Sequence, residues 1–427
     1  QDASQLHVAI SSVDTATGGV LAMYGGPDYT TNSRNWSTTP RPAASTFKSF
    51  ATVAGLRNGY SLDSTLKGDT FTPRGEGVPV RNEFSEQYGD VTLRKAVAES
   101  INTAFVDMTE SMNNGPAAVI KAANDAGAPT GAGWDANNRI ALGAAEVSPL
   151  NMANAYASLA DSGKRKETHF VAKVLDRNGN TVYEAKNEAT QAIEENVAAN
   201  VTDALTSVVE EGTGAKASQL NRPVAGKTGT NGVDDTITSA WFVGYTRQIS
   251  TAVMYVAGDS GNENLDAYKK PGDKTFFGSG YPLTTWVEYM QTATKGQEVK
   301  QFDKAKPIQG KSIAPSESPS SSVQPSPSAQ PSPSGQPTEE SSAEGRRPTS
   351  EPTDSGRGTP STQPTRGRSS QWPTKQPTND GRATQQPTGG GNNLPTNPGN
   401  DERGPGGGRQ EDRNGQGGDN GRGWEED

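Results

Sequence analysis

The sequence predicts an α+β domain: a central five-stranded antiparallel sheet flanked by helices, with an all-helical subdomain between its first two and last three strands. Three observations predict it. Apolar residues alternate with period two at residues 6–10 and 20–24, on either side of the turn chemistry of 14–19. Three more strand-like runs, 223–228, 240–245 and 251–256, follow one another through short connections, so they should pair as antiparallel neighbours. The stretch between these two groups is largely helical in character. Strands from both ends of the domain must then share one sheet, with helices covering its faces.

In chain order, Gly25-Gly26-Pro27-Asp28-Tyr29 stops the opening hairpin and a polar stretch runs to Pro42, suited to a helix entry. The helix that follows carries Phe47, Phe50, Ala51 and Ala54 on one face and should end near Asn58, with Gly59 as its stop. Residues 61–90, rich in Gly, Pro and charge, read as an extended loop. Residues 91–112 read as helical with a break near Ser100-Ile101-Asn102, and 116–126 as a helix closed by Gly127. Ser148-Pro149 starts another helix, with Leu150, Ala153, Tyr156, Ala157 and Leu159 as its apolar stripe. Arg177-Asn178-Gly179-Asn180 marks a hairpin turn between 170–175 and 181–183. It lacks the spaced carboxylates and closing glutamate of a calcium loop. An amphipathic helix over 194–211 and a closing helix over 282–290 complete the domain.

Of the 427 residues, those from about 307 on are almost all Pro, Ser, Thr, Gln, Gly, Asn, Arg, Asp and Glu. So few large apolar side chains cannot offset the entropy of ordering. The expected division is a folded domain over 1–300 and a disordered Pro/Ser/Gly-rich low-complexity tail over 301–427, a solvated spacer. The net charge of −9 does not favour nucleic acid as a partner, and the Arg-Gly steps of the tail are mixed with acids and lack interleaved aromatics. The absence of cysteine excludes disulfides, thiolate nucleophiles and cysteine-ligated metals. No apolar run has the length of a membrane span. The chain opens within five residues of its first strand, so it reads as a piece of a longer protein.

Three polar motifs carry candidate chemistry. Ser45-Thr46-Phe47-Lys48 puts a hydroxyl and an amine one helical turn apart. Serine is a weak nucleophile until a base activates it, and an amine of lowered pKa can be that base; the alternative is a solvated helix face. Ser100-Ile101-Asn102 can relay a proton and bind a substrate amide if the backbone there is non-helical, or can cap the helix starting near Thr103. Lys227-Thr228-Gly229-Thr230 ends a strand-like run. Its cation and hydroxyls suit a carboxylate, and its glycine permits close approach of a ligand or another backbone; the alternative is an edge strand with a polar end.

The three motifs occur in the order of a known catalytic set. With them stand Asp14 to Met23, Gly25-Gly26-Pro27-Asp28-Tyr29, the stretch from Ala141-Leu142-Gly143 to Ala155-Tyr156-Ala157, and Trp241-Phe242-Val243-Gly244-Tyr245. On these residues the chain resembles the transpeptidase domain of class A, bifunctional penicillin-binding proteins of actinobacterial type, over nearly all of 5–295. The resemblance implies an acyl-enzyme on Ser45, formed from a stem peptide ending in D-Ala-D-Ala. It implies Lys48 as the base, Ser100 as proton relay and Asn102 as the holder of the substrate amide. Lys227, Thr228 and Thr230, around Gly229, would bind the terminal carboxylate, and the Ser45 and Thr230 amides would form the oxyanion hole. An amine of a second stem peptide then resolves the acyl-enzyme, and β-lactams trap it. No cofactor and no metal are expected. The implied partners are donor and acceptor stem peptides, β-lactams, and the machinery of cell division or elongation. The implied location is the extracytoplasmic face of the plasma membrane, through an anchor that this chain does not include.

Two positions depart from the family pattern: Ala44 stands where glycine usually precedes the nucleophile, and Ser239 where an acidic residue is common. Either can alter donor or β-lactam preference. Rival readings are a serine β-lactamase or D,D-carboxypeptidase, and a catalytically silent β-lactam-binding scaffold. A Ser-His-Asp hydrolase is disfavoured because the only histidines, His7 and His169, read as structural.

Overall fold

The computed structural model describes residues 3–233 and 236–310. The sheet contains β1 (Leu6–Asp14), β2 (Val20–Tyr24), β3 (Ala225–Val233), β4 (Thr236–Tyr245) and β5 (Ile249–Ala257), in the order β3-β4-β5-β1-β2. Every pairing is antiparallel, and β1 meets β5 along its whole length, from Leu6↔Ala257 to Asp14↔Ile249. The chain's first strand therefore lies beside its last. The helices are α1 (Lys48–Arg57), α2 (Leu93–Ala98), α3 (Asn102–Ser111), α4 (Gly115–Ala126), α5 (Pro149–Ala160), α6 (Glu195–Glu210) and α7 (Tyr281–Ala293). This is the mixed α+β architecture that the strand and helix patterns predict.

Alternation along β4 supplies two cores. Trp241, Val243 and Tyr245 join the larger core with α1 and α5, while Phe242 joins Trp286 of α7 on the opposite face, their rings 5.1 Å apart. α5 is tied to the sheet by Ser250 Oγ donating to Ala153 O at 2.7 Å and by the Tyr156 and Tyr245 rings, 6.1 Å apart. Among the described residues no helix is long and apolar enough to cross a membrane.

The strands run further than their apolar runs. β1 continues through Ser11 and Ser12, both fully buried, and Ser12 Oγ pairs with Thr251 Oγ1 at 2.9 Å across the sheet. β3 and β4 extend past the expected ends to Val233 and back to Thr236. The helix break is where it was expected: Ser100 has φ +60°, between α2 and α3. Gly59 (φ +90°) and Gly127 (φ +113°) follow α1 and α4 in the left-handed conformation their stops require. The hairpin of Lys173–Leu175 with Thr181–Glu184 forms as expected, with every residue of its strands exposed. His7 is structural: its Nε2 lies 3.1 Å from Gly258 O and its ring stacks on Trp36.

The expected boundary at 300 falls inside a packed segment. Phe302 lies against Tyr245 with ring centroids 5.6 Å apart, and Ile308 also packs on the larger core. Asp303 pairs with Arg247 at 3.6 Å, and the Lys306 backbone exchanges hydrogen bonds with the Asn196 side chain at 2.9 and 3.0 Å. Averaged composition hid these few anchors. The expected tail beyond residue 310 lies outside the described residues. A chain ended after residue 300 is expected to unfold at a lower urea midpoint than one ended after 310. The loss should be ~2 kcal/mol, about half the cost of emptying a fully buried phenylalanine site.

Candidate active site

Ser45 lies in a 3-10 turn (Ala44–Phe47) that leads into α1, not in the α-helix itself. The turn is wedged against β3. A Cβ on Gly229 would meet Ala43 O at 3.1 Å and Thr46 Cγ2 at 3.0 Å, so glycine lets the Ser45 turn approach this closely without displacement. From the other side, Gly143 O accepts from Ala44 N at 2.9 Å. A Cβ on Gly143, whose φ is +84°, would fall 1.9 Å from Ala44 O. Ala44 has φ +52°, a left-handed conformation that costs an L-residue about 1–2 kcal/mol. Three contacts hold it: the Gly143 bond, Ala43 N to Ala145 O at 2.9 Å, and Pro42 O, which accepts from Trp241 Nε1 at 2.9 Å and Ser239 Oγ at 3.1 Å. Ser239 thus pins the segment before Ser45. Tyr156, fully buried, donates to Thr46 O at 2.6 Å.

Lys48 is fully buried at the start of α1. Its Nζ donates to Ser100 O at 2.7 Å, Ser100 Oγ at 3.2 Å and Asn102 Oδ1 at 2.6 Å. The left-handed Ser100 and the first residue of α3 therefore both serve the amine. Neither caps the helix: Thr103 N is instead satisfied at 3.0 Å by Asn82 Oδ1, from a distant loop. Burial, reinforced by the nearby charge of Lys227, holds the Lys48 amine well below the usual lysine range, against an upward pull from Glu83.

Ser45, Ser100, Asn102, Thr228, Gly229 and Thr230 all line one cleft of about 270 Å³. Lys227 does not line it. Its ammonium is fully buried below, donating to Thr228 O at 3.3 Å, and burial pushes its pKa down to about 7. It lies 3.5 Å from Thr228 Oγ1, which pairs with Thr213 Oγ1 at 2.8 Å, so its field reaches the cleft through hydroxyls. Thr230 Oγ1 accepts from Gly278 N at 3.0 Å, which leaves its proton to donate. Sequence reasoning missed Thr213, Glu83, Phe84, Phe277 and Ser279, which line the same cleft. Thr213 had a signal, since it sits between Gly212 and Gly214 just past the helix expected over 194–211. A larger cavity of about 680 Å³, between α6 and residues 301–305, contains none of the motif residues.

A sheet–helix sandwich with a serine turn, a buried lysine and a Lys-Thr-Gly strand around one cleft defines a class, and the comparisons agree. The chain belongs to the penicillin-binding protein transpeptidase domain family, which it matches over residues 8–275. It is 33% identical over 321 residues to penicillin-binding protein 1A of Mycolicibacterium smegmatis, an alignment covering 71% of this chain and 40% of that protein. It is 33% identical over 322 residues to the Mycobacterium tuberculosis protein of the same name, covering 71% and 38%. The chain thus spans about two fifths of the length of these relatives. The structure of PonA1 from Mycobacterium tuberculosis in complex with penicillin V superposes with a TM-score of 0.64 at 31% identity, covering 72% of this chain and 83% of that one.

The Lys227 pKa gives a pH dependence of stability. A folded value of about 7 lies below the ~10.4 of an unfolded lysine. Between the two the unfolded chain binds more protons, so the contribution of this site to stability rises with pH. Lys227→Met should therefore show its greatest advantage over wild type, by urea midpoint, at or below about pH 7. The advantage should shrink as the pH is raised towards the unfolded value.

Proposed function

We propose that this domain is a D,D-transpeptidase that cross-links peptidoglycan stem peptides through an acyl-enzyme on Ser45. The observation that carries the reading is the buried Lys48 amine, held by Ser100 and Asn102 one turn from a serine that opens into the same cleft as Thr228 and Thr230. A lysine kept below its usual pKa can be neutral at working pH and accept the Ser45 hydroxyl proton. The oxygen then attacks the penultimate D-Ala carbonyl of a donor ending in D-Ala-D-Ala. The terminal carboxylate lies among the Thr213, Thr228 and Thr230 hydroxyls, polarised from beneath by Lys227. The Ser45 and Thr230 amides receive the oxyanion, a contribution of about 3 kcal/mol when one such donor is removed. Lys48 passes the proton through Ser100 to the departing D-Ala, and Asn102 holds the substrate amide. An amine of a second stem peptide then takes the acyl group.

A β-lactam presents its strained amide to the same serine. The penicillin V complex of the PonA1 protein from Mycobacterium tuberculosis supports this reading. Stem peptides of the wall lie on the extracytoplasmic side of the plasma membrane, so the domain works there, with the machinery of cell division or elongation as its surroundings.

The test is labelling with a fluorescent penicillin. Wild type is expected to form a label stable for minutes, Ser45→Ala none, and Lys48→Met to label some 10²–10⁴-fold more slowly, the usual contribution of a positioned base. An unlabelled wild type sinks the reading. Loss of the label within seconds favours a β-lactamase. Stable label without D-alanine release from a D-Ala-D-Ala pentapeptide favours a silent scaffold.

A further inference from the structure

We propose that Glu83 receives the acceptor: its carboxylate holds the cationic amine of the second stem peptide beside the Ser45 ester and takes the first proton from it. The inference rests on the transpeptidase reading above and assigns the half of the reaction for which the three motifs supply no dedicated group.

The cleft presents two kinds of group. Hydroxyls of Thr213, Thr228, Thr230 and Ser279 line it, suited to the donor carboxylate, and so do the carboxylates of Glu83, Glu86 and Glu99. Of these carboxylates Glu83 is the one whose charge acts on Lys48. Among the described residues its carboxylate has no hydrogen bond or ion pair, whereas neighbouring Glu86 is taken by the Tyr88 hydroxyl. An ammonium entering next to Lys48 and Lys227 is repelled by any positive charge they carry. A carboxylate in the cleft offsets that repulsion and orients the incoming nitrogen.

The position of Glu83 is built, not incidental. Asn82, only 7% exposed, donates to Gly68 O at 2.6 Å and Glu86 O at 3.0 Å, and accepts from Thr103 N and Thr103 Oγ1 at 3.0 and 3.1 Å. Asn102 Nδ2 donates to Arg81 O at 3.2 Å. The turn bearing Glu83 is thus stapled to the residue that holds Lys48. The next two residues, Phe84 (φ +53°) and Ser85 (φ +57°), are left-handed without being glycine, at a cost of about 1–2 kcal/mol each. Phe84, although exposed, reaches across to meet Phe277 edge-on, 5.7 Å between centroids. A turn that is strained and anchored at both ends holds its side chain in a fixed place. Desolvation raises the Glu83 carboxyl from its usual value, against the lowering pull of Lys48, which makes it a better proton acceptor.

The step balances. The ammonium gives one proton to the Glu83 carboxylate and becomes a free amine. Its nitrogen bonds to the acyl carbon as the bond from that carbon to Ser45 Oγ breaks. The second nitrogen proton passes to Oγ by way of Lys48, restoring the serine, and Glu83 releases its proton to water.

The experiment follows the fate of the acyl-enzyme in the whole chain, with a D-Ala-D-Ala pentapeptide as donor and Nα-acetyl-lysine as acceptor. It reads the ratio of amide product to hydrolysed product, a quantity independent of how fast Ser45 is acylated. Glu83→Gln is expected to lower that ratio about tenfold or more, and Glu83→Lys at least as far, so that either variant alone suffices if the other fails to fold. Glu188→Gln, on the exposed surface outside the cleft, should leave it unchanged. An unchanged ratio in both Glu83 variants, with penicillin labelling intact in wild type, overturns this inference alone. A wild type that takes no label overturns the transpeptidase reading and this inference with it. A Glu83→Gln variant in which hydrolysis falls instead of aminolysis makes Glu83 a water-activating group and also overturns the proposal.

Discussion

The architecture depends on one close approach: the turn bearing Ser45 lies directly against the backbone of β3 at Gly229. A side chain at Gly143 would collide with the backbone of the turn, and one at Gly229 would press the turn back by a few tenths of an ångström. Gly278 completes the stack, since a Cβ there would fall 2.4 Å from both Gly229 O and Trp241 O. Backbone thus packs on backbone where other domains use side chains. That geometry brings Ser45 and Thr230 to one cleft, and the sheet's main task is to keep β3 where the turn can reach it.

Two fully buried lysines are the electrostatic counterpart of this packing. Removing an amine from water is costly, and each folded lysine here is held below its usual pKa. Lys48 recovers part of the cost through its acceptors on Ser100 and Asn102, Lys227 less through Thr228. The site is therefore assembled against a stability gradient, and the large alanine-rich core around α1 and α5 supplies the compensation.

Much of this was legible in the sequence. Apolar runs located every strand of the sheet, and the interruption at Ser100 was visible as a polar gap in a helical pattern. The extents were not legible where polar residues are buried by pairing across the chain, as with Ser12 and Thr251. The three motifs were legible because their chemistry is unusual at that spacing. The loop carrying Glu83 and Phe84 was read only as a Gly- and charge-rich connection, because its place over the cleft is decided by Asn82 bonding to Thr103, two residues whose meeting no local pattern encodes. Lys227 read as a cation suited to a carboxylate; no local pattern shows that its ammonium is fully buried, against Thr228 O and Oγ1. Ala44 read as an unexplained departure; its positive φ shows why glycine suits that position and what alanine there must overcome.

The pairing of β1 with β5 has a consequence for how the domain comes into being. Leu6 must find Ala257, at the far end of the sheet's sequence, and such distant pairings form late and slowly. Ser45 and Lys48 are synthesised long before β3 exists to receive them. Until then the cleft that Ser45 shares with Thr228 and Thr230 does not exist. The cleft is therefore completed only when the two ends of the domain close on each other.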